Sequence, residues 1–324
     1  MADQKRQTKR ATRAERRAAE AAAERARAEQ AAKERKQQTI IGLVVVAIIV
    51  VLVGIAGFAV WRTTHPSDTD SQASSMTVDE AYEALQEVSD KPANADDQGG
   101  FLISQNGYGT KVDGVPTLSI YMEPLCPGCA SVNRQLDPTL IELMDAGQIN
   151  LDLHFMTFQD SKSTDVYSTR AFNGAVYIAE HDDDPDHLLG YLANIYAEDF
   201  QPGELDDYTS VSDEQLKEQA IAAGVSSEVA DAAFSGEYEY QEWLKASDAY
   251  TIRREELFSS SGSFSSPTLT INGTYWSLSD LSLADMTIVD GFLKSIGLDA
   301  DQVGVSGELP SIGADGKPIS VTTE

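Results

Sequence analysis

The 324-residue chain holds two cysteines, three apart, in Cys126-Pro127-Gly128-Cys129. That spacing closes a very short loop. One thiolate can attack a partner's sulfur, and the second can resolve the mixed disulfide. A zinc site would need about four Cys, His or carboxylate ligands. There is no second cysteine pair, and of His65, His154, His181 and His187 only the last two come near each other, in an acidic stretch. No metal is therefore expected. An inert pair of buried thiols is a further alternative. The redox reading is favoured over both.

The flanking residues say how the pair is held. Leu118, Ile120 and Met122 alternate, as in a half-buried strand. Pro127 suits the first position of a helix, and Val132 and Leu136 follow at helical spacing. Cys126 is thus expected at a strand-to-helix junction, where free N–H groups and the positive dipole end stabilise a thiolate.

Around this unit the pattern predicts strands over 101–104, 117–123 and 150–158, and helices over 127–136 and 138–146. Asp137-Pro138 reads as a cap followed by a first helical position that kinks or restarts the helix. His154 lies opposite Leu151, Leu153 and Phe155 and reads as a packing or surface residue rather than a proton shuttle. Helices are expected over 167–181, 187–199, 213–224, 226–235 and 239–258, a helical insertion spanning about 167–258. Trp243, Ala246, Tyr250 and Leu257 form a stripe that reads as core. Pro267–Ile271 and Thr274–Ser277, joined by Asn272-Gly273, give a hairpin signal. A closing helix is expected over 285–296. Residues 298–324 have no aromatic side chain and read as a disordered acidic tail.

Upstream, Ile40–Trp61 is 22 residues without a charge. At about 1.5 Å per residue it can cross a hydrocarbon core of about 30 Å. A cleaved signal peptide is the rival, but its basic region would be short and its apolar region only about 7–15 residues. An uncleaved transmembrane helix over 40–61 is favoured. Residues 1–38 carry 12 Lys and Arg against 6 Asp and Glu, and the rest carry 12 against 46. The positive-inside rule then makes 1–39 a cytoplasmic arm and places the acidic portion, with both cysteines, outside the cell membrane. The arm reads as a solvated helix or a disordered segment that enforces topology, or, more sharply, as a contact with anionic lipid. Residues 62–100 read as an extracytoplasmic linker, with a short helix over 78–89 started by the capping box Thr77-Val78-Asp79-Glu80. The net charge of −28 disfavours nucleic acid as a partner of the outer domain.

Strand, Cys-x-x-Cys helix, strand, helical block, proline-led hairpin and closing helix resemble a thioredoxin fold with a helical insertion. Over 101–297 the chain resembles the DsbA-like thiol–disulfide oxidoreductases, in the membrane-anchored form common in Gram-positive bacteria. Two stretches carry the resemblance: Glu123-Pro-Leu-Cys126-Pro-Gly-Cys129 and Ser266-Pro267-Thr268. It implies that Cys126 is the exposed nucleophile and Cys129 the buried resolving cysteine. Pro267 would be the cis-proline lying against the pair, with Ser266 before it, both on the substrate-binding loop. Glu123 would be a proton relay or simply a solvated strand-end charge. Two positions depart from the pattern: Ile120 stands where many thioredoxin-fold enzymes bury an acid, and the intervening dipeptide is Pro-Gly rather than Pro-His.

The resulting expectation is an α/β protein with a thioredoxin-like fold and a helical insertion, preceded by a single transmembrane helix. It would exchange disulfides with secreted or surface proteins, with an oxidase favoured. The alternatives are an extracytoplasmic reductase and a redox-inactive binding module. Expected partners are protein thiols and disulfides and a membrane redox partner, with no cofactor. No phosphate loop, nucleotide fingerprint or Ser/His/Asp spacing stands out.

Overall fold

The computed structural model of the protein describes residues 76–322. The basic arm, the apolar run and the first part of the expected linker, residues 62–75, lie outside the described residues. Among the described residues no helix is long and apolar enough to cross a membrane.

The chain runs α1 (Val78–Glu87), β1 (Gly100–Ser104), β2 (Gly107–Tyr108), β3 (Thr117–Met122), α2 (Pro127–Asp145) and β4 (Asn150–Phe155). A block of helices follows: α3 (Tyr167–His181), α4 (Pro185–Ile195), α5 (Asp213–Ala222), α6 (Ser227–Ala233) and α7 (Gln241–Thr251). The chain then returns through β5 (Thr268–Ile271), β6 (Thr274–Tyr275), α8 (Leu278–Leu283) and α9 (Ile288–Ile296). The six strands form one sheet in the order β2-β1-β4-β3-β5-β6. β3 and β4 are parallel, joined by the α2 crossover, and every other pairing is antiparallel. This is a mixed α/β, thioredoxin-like arrangement with α3–α7 inserted between β4 and β5.

The alternation read in the sequence sets the register. Leu118 pairs with Leu151 and Ile120 with Leu153, so one face of the sheet is continuously apolar. Phe101 and Phe155 extend it and meet Trp243 of α7 and Phe172 of α3. The opposite face carries Tyr121 stacked on His154, with ring centroids 4.0 Å apart. His154 Nε2 lies 3.0 Å from Asp152 Oδ2. This histidine is a packing residue.

Three expectations are corrected. First, α2 does not stop at Asp137-Pro138 but runs unbroken from Pro127 to Asp145. An internal proline costs about 3 kcal/mol. Here Leu136, Leu140, Leu143 and Met144 all stay buried along one continuous helix, and that burial offsets the cost. Second, residues 76–100 are part of the folded body rather than a tether. The Thr77/Glu80 capping box forms as expected, but α1 packs on α7 with Tyr82 against Tyr250. Glu180 of α3 accepts the backbone N–H groups of Ala93 and Asn94. Third, 298–322 is not a disordered tail. Gln148 Nε2 donates to the carbonyls of Gln302 and Glu308, and Asn272 Nδ2 to those of Gly313 and Gly316. Leu298 and Val321 are buried. The segment is fastened through its main chain, so its lack of aromatic side chains was a poor guide.

Candidate active site

The β3–α2 junction places Cys126 where the sequence predicts it. Cys126 is the N-cap of α2 with extended backbone, Pro127 takes the first helical position, and the Ala130 N–H donates to the Cys126 carbonyl. Both cysteines are free thiols. From the far end of the fold, the loop before β5 closes the site. The Ser266–Pro267 peptide bond is cis, and the Cys126 thiol donates to the Ser266 carbonyl at 3.3 Å. Gly128 fits under this loop: a Cβ there would stand 3.0 Å from Pro267 Cδ and 3.5 Å from Cys126 Sγ.

Cys126 is not the exposed residue that the resemblance implies. It is 1 % exposed and Cys129 is 3 % exposed. Two segments enclose the turn. One is the Ser266–Pro267 loop, which Gln159 Nε2 reaches at Ser266 Oγ. The other follows α4: Gln201 Nε2 donates to the carbonyls of Pro124 and Cys126 at 2.9 and 3.2 Å. Phe158 and Phe264 meet edge to face beside the same loop, with Phe264 against Tyr121.

The two thiols differ in proton affinity. Cys126 is lowered to about 7, first by the hydrogen bond from the neighbouring Cys129 thiol, then by Ser266 and the Cys129 backbone N–H, against the opposing effect of burial. Burial pushes Cys129 well above the ordinary thiol range, and its proximity to Cys126 adds to this. Cys126 is therefore the thiol that ionises first, around neutral pH, while Cys129 stays protonated.

Glu123 lies beneath the pair and is fully buried, so it is not a solvated strand-end charge. Its backbone N–H donates to Cys129 Sγ at 3.4 Å. Its carboxylate accepts from the Leu125 N–H at 2.8 Å and from the Ser168 hydroxyl. Burial raises its proton affinity well above the usual carboxylate range, and the nearby Cys126 adds to that. The sequence reading missed Ser168, Gln159 and Gln201. Ser168 sits in the first turn of an expected helix, and nothing in the local pattern marks it. The two glutamines act through reach from loops and leave no local pattern.

No protein-family model matches the chain. It is 32 % identical over 89 residues to the serine/threonine-protein kinase PknE of Mycobacterium tuberculosis and of Mycobacterium bovis, which is 27 % of this chain. The chain thus spans about 16 % of the length of those curated relatives. The structure is similar to oxidised DsbA of M. tuberculosis at 25 % identity, covering 57 % of this chain and 89 % of that one with a TM-score of 0.46. It is also similar to reduced DsbG of M. tuberculosis at 25 % identity, covering 57 % and 83 % with a TM-score of 0.45. A third similar structure is MdbA of Actinomyces oris, a thiol–disulfide oxidoreductase, at 17 % identity, covering 61 % and 89 % with a TM-score of 0.45. All three TM-scores lie below 0.5, and the chemistry assigned to the site rests on its own residues.

Proposed function

We propose that the chain is a membrane-anchored thiol–disulfide oxidoreductase acting outside the cytoplasm on protein thiols and disulfides, with Cys126 and Cys129 as its exchange pair. The observation that carries the reading is the geometry: two free thiols three apart at one helix N-terminus, with Cys126 Sγ donating to the Ser266 carbonyl; the opposed proton affinities of the two sulfurs agree with it. In the oxidase direction a client thiolate attacks Cys126 Sγ of the Cys126–Cys129 disulfide. That bond breaks, and Cys129 leaves with the electron pair and takes up a proton. A second client thiolate attacks the client's own sulfur and expels Cys126 as thiolate. The client loses two electrons, the pair gains them, and a membrane redox partner removes them again. Cys126, with its lower proton affinity, is the better leaving group in that last step. A value near 7 resembles thioredoxin more than strongly oxidising enzymes, so the poise of the redox partner sets the net direction. A reductase would run the same steps in reverse. The anchor, the outward orientation and the membrane partner are supported by the uncharged 40–61 run and the basic arm before it.

Two experiments test the reading. Cys129→Ser expressed in cells should accumulate mixed disulfides through Cys126, because the resolving step is lost, whereas Cys126→Ser should accumulate none. Equal trapping by the two variants, or none by either, would contradict the assignment. Protease added outside intact protoplasts should remove the acidic domain and spare the basic arm. Protection of the cysteine pair would contradict the orientation.

A further inference from the structure

Whenever the Cys126–Cys129 bond forms or breaks, Cys129 must lose or gain a proton, and burial makes that proton hard to remove. Glu123 touches Cys129 through its backbone, but it is wholly enclosed and its carboxylate is engaged by Ser168 and Leu125. A second carboxylate, Asp137, lines a small cavity together with the same thiol. A cavity of about 10 Å³ is walled by Cys129, Asn133, Asp137, Tyr196 and Pro267, which is space for about one water. Cys129, Asn133 and Asp137 are spaced by four along α2 and so share one face of the helix. Asp137 accepts a hydrogen bond from Asn133 Nδ2. Because α2 runs on through Pro138, its carboxyl is not spent on capping a new helix. The Tyr196 hydroxyl is buried with no hydrogen-bond partner among the described residues.

We propose that Asp137 is the proton acceptor and outlet of the Cys129 thiol, working across this cavity. The inference rests on the disulfide-exchange reading above. As Cys129 Sγ bonds to Cys126 Sγ, its proton passes to the Asp137 carboxylate. The bond from Cys126 to the partner's sulfur breaks, and the partner leaves as thiolate with the electron pair. The cysteine pair is oxidised and the partner disulfide reduced. In the reverse direction Asp137 returns the proton to the departing Cys129. Asp137 keeps part of its surface in solvent, which gives the proton a way out. It also lines a second cavity, whose other walls, from β3, β4, α2 and α4, are all apolar. The titratable groups facing it are therefore Cys129 and Tyr196. Burial pushes Asp137 up to about 8, against the lowering effect of Asn133, so it can take and return a proton near neutral pH.

The test uses the reduced full-length chain in mild detergent, mixed with excess oxidised glutathione, acid-quenched and weighed by mass spectrometry from pH 6 to 9. Two steps are resolved: formation of the Cys126–glutathione adduct, and its resolution by Cys129. Asp137→Asn should leave the first step unchanged and slow the second at pH 7 by about tenfold or more. It should also remove a midpoint near pH 8 from the second step's profile, and Asp137→Glu should restore part of the rate. An unchanged second step, or both steps slowed alike with a lowered melting temperature, would overturn the role of Asp137. If the wild-type chain forms no adduct at Cys126, the disulfide-exchange reading fails, and this inference fails with it.

Discussion

Cys126 Sγ lies 3.3 Å from the carbonyl oxygen of Ser266, a residue 140 positions away in sequence. The nucleophile's environment is thus shared between the N-terminus of α2 and the loop before β5. The Ser266 side chain helps to lower the Cys126 thiol, so two separate pieces of chain set its proton affinity, and a third, carrying Gln201, holds the β3–α2 turn through the carbonyls of Pro124 and Cys126.

That fastening gives the first prediction. Gln201→Ala removes the side-chain donor from the carbonyls of Pro124 and Cys126, at a cost of about 1 kcal/mol in net hydrogen bonding. If this loss falls on the closed state of the turn, the open population rises about fivefold. Iodoacetamide should then alkylate Cys126 faster by a similar factor, with the melting temperature slightly lowered. An unchanged alkylation rate would mean that the loop after α4 does not guard the thiol.

Glu123 gives a pH-dependent stability. Its folded-state proton affinity is raised above the ordinary value of 4.5. Its stabilising, neutral form is therefore complete below about pH 4.5 and is lost as pH rises toward the folded value. Glu123→Gln stays neutral throughout and can keep both contacts, its amide oxygen accepting from the Leu125 N–H and its amide nitrogen donating to the Ser168 hydroxyl. The melting temperature of the variant minus that of the wild type should therefore rise from pH 5 to pH 8. A flat or falling difference would show that the ionised carboxylate is not penalised where it sits.

Gly128 tests the fit beneath Pro267. Gly→Ala at a compatible helical position usually stabilises by about 0.4–1 kcal/mol. Here the added Cβ stands 3.0 Å from Pro267 Cδ, so Gly128→Ala should show no gain or a small loss on thermal melting. A full gain would mean that the Ser266–Pro267 loop yields easily.

The β3–turn–α2 unit and the β5–β6 hairpin were legible because their signals are local. They rest on alternation over Leu118–Met122, a proline at the first helical position, and Asn272-Gly273 between two β-rich runs. The enclosure of Cys126 was not legible, because Gln201 and Ser266 lie far from it in sequence. Asp137-Pro138 misled because it is a good local cap signal, while the buried Leu136–Leu140–Leu143 stripe that carries the helix onward is a tertiary effect. Residues 298–322 misled for a related reason: they are held by Gln148 and Asn272, side chains that gave no hint of that role.

The central claim is that Cys126 is an activated thiol beside an unactivated one, and thiolate absorbance measures that directly. The reduced full-length chain is titrated in the ultraviolet from pH 4 to 10, with Cys126→Ser as the blank. The account predicts one thiolate appearing with a midpoint of about 7, assigned to Cys126, and none from Cys129 across neutral pH. A midpoint at or above about 8.5, the value of an unperturbed cysteine, would contradict it and favour a redox-inactive binding module.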